Sequence, residues 1–282
     1  MRGSIPVFVM SKAMLRTPGG TVGLVLTLAL LAVAVFANIL APADPFASVG
    51  RPLSPPSHGH AFGTDDLGRD VLTGIIHGAR TSLLVVASVT VLAAIIGVAV
   101  GALAGYRVGV IDDLLMRVTD FVLTVPRFFL AVLVIALFGA GMDRLILVLG
   151  LTSWPAIARI VRAQTLSLVQ REFVDAARAL GATDTRVLLR YVLPGALPPA
   201  LVVISINAAG VILLEAGLSF IGLGDPSRIS WGYLANNAQR FLRVAWWVAL
   251  FPGAAIALAV LGLNLLGDAL NDLLDPRAPR ST

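Results

Sequence analysis

Long apolar blocks alternate with shorter polar segments along most of this chain. A run of roughly 20 apolar residues is long enough to cross a bilayer as a helix, and six such blocks can be traced. The fourth block is the shortest and carries Pro155. We therefore predict an all-α fold, a polytopic membrane helical bundle with about six transmembrane helices. The predicted spans are residues 21–41, 83–105, 121–140, 145–160, 201–221 and 245–266.

The overall composition argues strongly against a soluble protein. Hydrophobic residues make up 57% of the 282 positions and charged residues only 13%, with a mean hydropathy of +0.90. The net charge of +5 would suit a nucleic-acid-binding protein if the basic residues were gathered on one soluble face. They are instead spread among the segments that join the apolar blocks, so no nucleic acid partner is expected. Cysteine is absent, which removes disulfides, thiol nucleophiles and thiolate metal ligands from consideration.

The basic residues also orient the predicted bundle. About twice as many of them fall on one side of the membrane as on the other when six spans are assumed, and the richer side is the cytoplasmic one. Both termini are therefore predicted to be cytoplasmic. The first apolar block is longer than the roughly 7 to 15 residues of a signal-peptide core, so we expect an uncleaved anchor. The predicted division is a cytoplasmic N-terminal segment (1–20), a first transmembrane helix (21–41), an external loop (42–80) and a transmembrane permease core (81–282).

Residues 164–199 form a segment that is too polar for lipid and is patterned as helices. In its first half, Phe173, Ala177 and Leu180 recur at helical spacing and so share one face. Gly181 follows and is a helix stop signal. This pattern predicts a short helix that ends at the glycine.

The second half of the segment predicts another helix. Thr183 or Asp184 can supply its N-cap, Val187 and Tyr191 fall on one side, and Pro194 is predicted to end it. Two short helices joined by a glycine would form a compact knob on the inner face. Such a knob can fit a groove on a cytoplasmic partner. A helical pair that merely lies on the membrane surface fits the pattern equally well.

Four side chains of the first helix indicate how a partner would be held. Phe173 and Leu180 are large enough to act as anchors. Ala176 and Ala177 are small, so they would allow close approach of the partner.

The same segment is similar to the EAA loop of permeases in ATP-binding cassette importers. That pattern is Glu-Ala-Ala, three residues, Gly, nine residues and Ile-x-Leu-Pro, and it fits here at the required spacing. Asp175 stands where Glu is usual and Tyr191 where Ile is usual. The matching residues are Ala176, Ala177, Gly181, Leu193 and Pro194.

Further short patterns occur in the order found in one branch of that family, the C-type permease subunits of dipeptide and oligopeptide importers. The resemblance covers nearly the whole chain and implies the type I importer permease fold in the cytoplasmic (inner) membrane. It also implies a permease subunit of an ATP-driven importer that translocates di- or oligopeptides. Segments that carry the resemblance include 62–70, 78–83, 215–224, 264–268 and 272–276.

The resemblance implies partners as well. A homologous permease subunit, two cytoplasmic ATPase subunits and an extracytoplasmic solute-binding protein would complete the transporter, with membrane lipid around it. The residues expected to couple the chain to the ATPases are Phe173, Asp175, Ala176, Ala177, Leu180, Gly181, Leu193 and Pro194.

Catalysis by this chain itself is not expected. A phosphate-binding P-loop needs Gly-Lys-Ser/Thr, whereas the single lysine, Lys12, lies between Ser11 and Ala13. No enzyme activity, cofactor or metal site is therefore predicted, and ATP would be hydrolysed by the partner subunits. A permease for nickel complexes, glutathione or another small solute stays open, as does a self-contained secondary transporter or channel.

Glu215 lies within or near the outer end of the fifth predicted span, where a carboxylate is a candidate for the translocation path. It could equally pair with Arg240 or fix the glycine-rich turn that follows it, and we favour a structural role.

Other clusters also receive structural interpretations. Gly97, Gly101 and Gly105 share one helix face and would admit another helix of the same chain. The acidic run that begins at Asp65 and ends at Asp70 suits a capped turn before a helix. His58 and His60 indicate a solvated loop, because no third metal ligand stands at a suitable spacing. Three tryptophans are predicted to anchor the outer boundary or to meet a docked binding protein: Trp231, Trp246 and Trp247.

Overall fold

The computed structural model of the protein describes residues 18–274. Most of these residues are helical, and the described part of the chain has two isolated β-bridges but no β-strand. Most of the predicted N-terminal segment, including Lys12, lies outside the described residues. In chain order the helices are α1 (Pro18–Val35), α2 (Ala37–Leu40), α3 (Val71–Tyr106), α4 (Val110–Thr124), α5 (Arg127–Phe138), α6 (Met142–Ser153), α7 (Pro155–Val169), α8 (Glu172–Ala179), α9 (Asp184–Arg186), α10 (Leu193–Phe220), α11 (Trp231–Ala238) and α12 (Trp247–Leu274).

Five helical stretches are long and apolar enough to cross a membrane. They are α1, α3, the combined α6 and α7, the stretch from α9 through α10, and α12. A further pair, α4 and α5, is bent by 78° at a short break and counts as a sixth span if taken together. The predicted count of six agrees with this arrangement, and the fourth span is longer than predicted.

The third predicted span, residues 121–140, is wrong as a straight helix. The helix is interrupted at Val125 and Pro126, before α5 begins. Proline lacks an N–H and disfavours helical geometry in the residue before it, so the helix axis changes direction there. The break leaves α4 at an angle of 78° to α5.

Helix α3 begins at Val71, well before the predicted span at 83–105. Asp70 caps it, since its Oδ2 accepts hydrogen bonds from the Thr73 N–H and Oγ1, both at 2.8 Å. The last part of the predicted external loop (42–80) is therefore the first turns of α3. At 36 residues the helix is about 54 Å long, which exceeds the thickness of the hydrocarbon layer.

Close packing between α3 and α7 depends on the three predicted small residues. A Cβ on Gly97 would lie 2.7 Å from Ile157 Cβ, and a Cβ on Gly105 would lie 2.7 Å from Thr165 Cβ. A Cβ on Gly101 would collide with the Ala158 carbonyl oxygen. The glycine face thus packs within the chain, as predicted.

The bundle has two distinct ends. We call one the knob end, because it carries residues 171–192, and the other the loop end, because it carries residues 42–70. Successive spans run in opposite directions between these two ends. As a result, the start of α1 at Pro18 and the last residue of α12 both lie at the knob end. At the loop end, the Phe62 and Phe251 rings stack with centroids 4.0 Å apart, which fastens the loop to α12.

Two of the three tryptophans lie under the loop end of the bundle, where neither lipid nor a docked protein can reach them. Trp231 and Trp247 are buried, and their Nε1 atoms donate to the Ile75 and Thr64 carbonyl oxygens at 3.0 and 3.2 Å. The prediction was wrong for these two because the loop and α11 fold over the end of the bundle. Trp246 is exposed.

Candidate functional site

The knob, residues 171–192, has the helix–glycine–helix form that the sequence predicts. Helix α8 ends at a turn in which Gly181 adopts φ +84°, a left-handed conformation that favours glycine. The Gly181 N–H donates to the Arg178 carbonyl oxygen and the Ala182 N–H to the Ala177 carbonyl oxygen, at 2.9 and 3.0 Å. Thr183 is the N-cap residue of α9, but its side chain makes no capping hydrogen bond.

The knob has a small apolar interior of its own. Val174 and Ala177 from α8 pack against Val187 and Val192 from the second helix, and all four are buried. Ala177 therefore faces the chain's own interior, so the prediction that it offers a surface to a partner was wrong. Ala176 is exposed and remains available.

The second helix continues past its predicted end. Residues Val187–Val192 form a π-helical turn that runs directly into α10, and the Leu193 N–H donates to the Leu188 carbonyl oxygen. A π turn pairs residues five apart, which places Val187 and Val192 on the same buried side and leaves Tyr191 exposed. Pro194 lies in the first turn of α10, where its missing N–H is tolerated.

The knob exposes several large apolar side chains among its charged ones. Leu180 is 89% exposed and Phe173 is 43% exposed, so both predicted anchors are accessible, Leu180 almost fully and Phe173 in part. Leu189 and Tyr191 from the second helix are exposed too. Asp175 on α8 is exposed as well. Large apolar side chains on a water-facing surface mark an interaction site when they lie together.

Polar contacts clamp the knob to the end of α3. The Tyr106 hydroxyl donates to Asp184 Oδ1 at 2.8 Å, and Arg107 lies 3.8 Å from the other oxygen of the same carboxylate. The Arg178 guanidinium lies over the Tyr106 ring, 5.9 Å from its centroid. Its contact with the Tyr106 hydroxyl raises the pKa of Arg178 above its ordinary value. The knob is thus fixed to α3 through both of its helices.

Two ion pairs join α4 to α7, which leads into the knob. Arg162 binds Asp112 with two hydrogen bonds of 2.5 and 2.6 Å, and Arg159 binds Asp120 at 2.6 Å. Sequence reasoning missed these contacts, since the partners are far apart along the chain. The signal that the sequence offered was spacing: the two aspartates can share one face of α4, and the two arginines one face of α7.

Glu215 lies in a buried polar cluster between α3 and α10. It is 2% exposed, and it accepts hydrogen bonds from Ser82 Oγ at 3.2 Å and Ser219 Oγ at 2.9 Å. Ser82 Oγ in turn accepts from the Trp231 N–H at 3.2 Å. In the described part of the chain Glu215 has no ion-pair partner within 4.0 Å, Arg240 included. This geometry fits the structural role, and a role in translocation stays a prediction.

The acidic segment at the loop end forms the capped turn that the sequence predicts. Asp65 Oδ1 accepts from the Leu67 and Arg69 N–H groups at 2.9 and 2.8 Å, and burial raises the pKa of Asp65. His60 Nδ1 lies 3.1 Å from Asp70 Oδ1. Between residues 18 and 274 no three metal-ligating side chains come together.

Comparison with known proteins gives consistent matches. Residues 97–280 match the family described as binding-protein-dependent transport system inner membrane component. A Brucella suis biovar 1 protein, provisionally named a peptide transport system permease protein, is 41% identical over 98% of this chain and 93% of that protein. The glutathione transport system permease protein GsiD of Pectobacterium atrosepticum is 39% identical over 89% of this chain and 84% of its own length. The di/tripeptide transport system permease protein DppC of Pseudomonas aeruginosa is 38% identical over 92% and 88%, respectively.

A solved structure shares the fold. It is described as inward-facing conformations of the MetNI methionine ABC transporter, and one of its chains matches with a TM-score of 0.58 and 21% identity. The match covers 73% of this chain and 97% of that one. The helical bundle is therefore of the type I importer permease kind.

Proposed function

This chain belongs to the binding-protein-dependent transport system inner membrane components, and we propose that it serves as one of two permeases in an ATP-driven importer of di- or oligopeptides. The second permease would be a homologous subunit. Two cytoplasmic ATPase subunits would supply the energy, and an extracytoplasmic binding protein would deliver the solute. The knob end of the bundle, to which Pro18 and the last described residue of α12 belong, would face the cytoplasm, in line with the bias of basic residues. Both termini would then be cytoplasmic.

The observation that carries the proposal is the set of large apolar side chains that the knob exposes. Leu180 is almost fully exposed and Phe173 partly so, while Val174 and Ala177 hold the knob together from inside. A rigid body with protruding anchors is suited to a groove on a partner. The clamp through Tyr106 and Asp184 would pass movement of the knob to α3. Closure of the ATPases would then switch the path between outward and inward access, as in domain-closure mechanisms.

Substitution of Leu180 tests the docking surface without disturbing the fold. Leu180→Glu adds a charge to a side chain that touches little of the chain, so we expect normal membrane insertion and an unchanged melting temperature. Desolvating the new carboxylate in a partner groove is costly, so ATPase subunits should no longer co-purify with the permease. Leu67→Glu is the matched control, since Leu67 is an exposed leucine at the loop end.

The result is read from the amount of ATPase retained and from ATP-dependent peptide uptake into proteoliposomes. Loss of both with Leu180→Glu, and retention of the ATPase with Leu67→Glu, supports the proposal. Full retention of the ATPase with Leu180→Glu would refute docking at the knob. Substitution at Ala177 or Gly181 is less informative, because Ala177 is buried within the knob and Gly181 has a positive φ.

Glutathione is a second candidate for the solute, since GsiD is a relative at 39% identity. Glutathione is itself a small peptide-like acid. Uptake assays with labelled dipeptide, tripeptide and glutathione, each with ATP and after ATP depletion, separate the two substrates. They also test the remaining class, because uptake that persists without ATP would indicate a secondary transporter.

A further inference from the structure

Arg127 is the first residue of α5, at the break that separates this helix from α4. Its Nη1 donates to Asn207 Oδ1 at 3.4 Å, which is a long hydrogen bond. Asn207 is held in that orientation because its Nδ2 donates to the Ser153 carbonyl oxygen at 2.7 Å. The amide oxygen is therefore the atom presented to the guanidinium.

The guanidinium has no anionic partner in residues 18–274. No Asp or Glu oxygen of this part of the chain lies within 4.0 Å of it. Two arginines of α7 differ from it, since Arg159 and Arg162 each bind a carboxylate. An arginine carries five N–H donors in a planar fork, and a single neutral acceptor at 3.4 Å leaves most of them unused.

The contact lies deep in the bundle. Asn207 is 14 residues beyond Leu193 and 13 before Phe220 in α10, which places it about 20 Å from each end of that helix. Charged side chains at such depth are costly and mark substrate pathways. A lipid headgroup is a poor partner for Arg127. The contact lies near the middle of α10 and so near the bilayer centre, whereas headgroups lie about 15 Å from that centre.

There is space beside the contact for a ligand. Gly210 follows Asn207 by one helical turn, and a Cβ built on Gly210 meets no atom within 4 Å. Ile206 and Leu213, on either side along α10, are exposed. The Ser153 Oγ is buried and has no hydrogen-bond partner in the described residues. An unneutralised cation, an amide and an open helix face therefore adjoin one another.

We propose that Arg127, positioned by Asn207, binds the carboxylate of the transported solute within the membrane. Arginine matches a carboxylate with two parallel hydrogen bonds, and every unmodified peptide carries such a group at its C-terminus. This inference rests on the proposed function as a peptide permease. It places Arg127 on the translocation path within the membrane. This role is separate from the choice of solute by a binding protein outside the membrane.

The first test is uptake by the complete transporter in proteoliposomes, with saturating binding protein and either labelled trialanine or labelled trialanine amide. Arg127→Gln should lower the maximal rate for trialanine about tenfold or more, and that for the amide less than about twofold, as expected from losing a charged hydrogen bond. Arg127→Lys should retain more of the trialanine rate. Arg144→Gln is the control and should not alter the ratio of the two rates, because Arg144 is a half-buried arginine whose hydrogen bond among the described residues is to the Ala140 carbonyl oxygen.

The second test needs neither transport nor a binding protein. Phenylglyoxal modifies arginine, and its reaction with Arg127 in the detergent-solubilised assembly can be followed by peptide mass spectrometry. Trialanine should protect Arg127 and leave Arg144 unprotected, while trialanine amide should protect neither.

The outcomes separate the competing explanations. Equal loss of both uptake rates with Arg127→Gln would overturn the proposal and indicate a structural contact or an acidic residue of the partner permease. Equal protection by both peptides, or protection by neither, would also overturn it. If the wild-type assembly moves no peptide at all, the proposed function fails, and the protection experiment then decides the carboxylate site by itself.

Discussion

Replacing Asp112 with asparagine removes the carboxylate that holds the start of α4 against α7. Arg162 donates to both oxygens, at 2.5 and 2.6 Å. The Asp112 side chain is 7% exposed and that of Arg162 is 34% exposed. Loss of one partner of a buried ion pair costs about 3 to 5 kcal/mol. Because Arg162 keeps part of its surface accessible, we expect a loss at the lower end, about 3 kcal/mol.

Asp120→Asn is the matched control for this change. It alters the same residue type on the same helix, and its partner, Arg159, also lies on α7. The Arg159–Asp120 distance is 2.6 Å, but the two side chains are 55% and 62% exposed. Exposed pairs contribute less than about 1 kcal/mol, so Asp120→Asn should have a small effect that shrinks further in high salt.

Thermal unfolding of the purified chain in lipid nanodiscs measures both variants under identical conditions. Asp112→Asn should lower the melting temperature clearly more than Asp120→Asn, at low and at high salt. A double-mutant cycle with Arg162→Gln then isolates the pair itself from the effect of either single change. Equal shifts for the two aspartates would refute the reasoning that burial decides the strength of these contacts.

Two further predictions concern packing and the buried carboxylate. Gly101→Ala places a Cβ against the Ala158 carbonyl oxygen and should destabilise the bundle by about 1 to 3 kcal/mol; Gly253→Ala, in open space on α12, should be neutral or stabilising in the same unfolding assay. Glu215→Leu removes the acceptor of the Ser82 and Ser219 hydroxyls and should cost about 1 to 3 kcal/mol, whereas Glu215→Gln keeps an acceptor oxygen and should cost less. A Glu215→Leu variant as stable as the wild type would contradict a structural role.

The crossings of the membrane could be predicted because each depends on a property of one segment. A long apolar run is sufficient to indicate a span, and the count of six required no knowledge of neighbours. The start of α3 was set too late, since the turns after Val71 are less apolar than the centre of that helix. The span at 121–140 was predicted from its apolar run alone, although Pro126 marks a break within it. The 78° angle between α4 and α5 could not be predicted, because it depends on what the two helices pack against.

In the knob, features that depend on a single residue were predictable, and features that depend on packing between helices were not. The glycine turn was predictable from Gly181, whose role depends on its own backbone conformation. The burial of Ala177 and the π-helical turn were not, because both follow from the packing of Val174 against Val187 and Val192. Likewise, the pairing of Arg162 with Asp112 depends on two helices meeting.

These contacts connect the two sites that we propose. Helix α7 leads through Gln170 and Arg171 into α8 of the knob, so a partner that pulls on the knob also pulls on α7. The bidentate pair from Arg162 joins α7 to the start of α4, and the far end of α4 meets the break at which Arg127 lies. A movement that enters at the knob would therefore reach the proposed carboxylate site through the ion pairs between α7 and α4, of which Arg162–Asp112 is the more buried. This route makes Asp112→Asn informative for transport as well as for stability, since it should weaken uptake while ATPase subunits still bind to the intact knob.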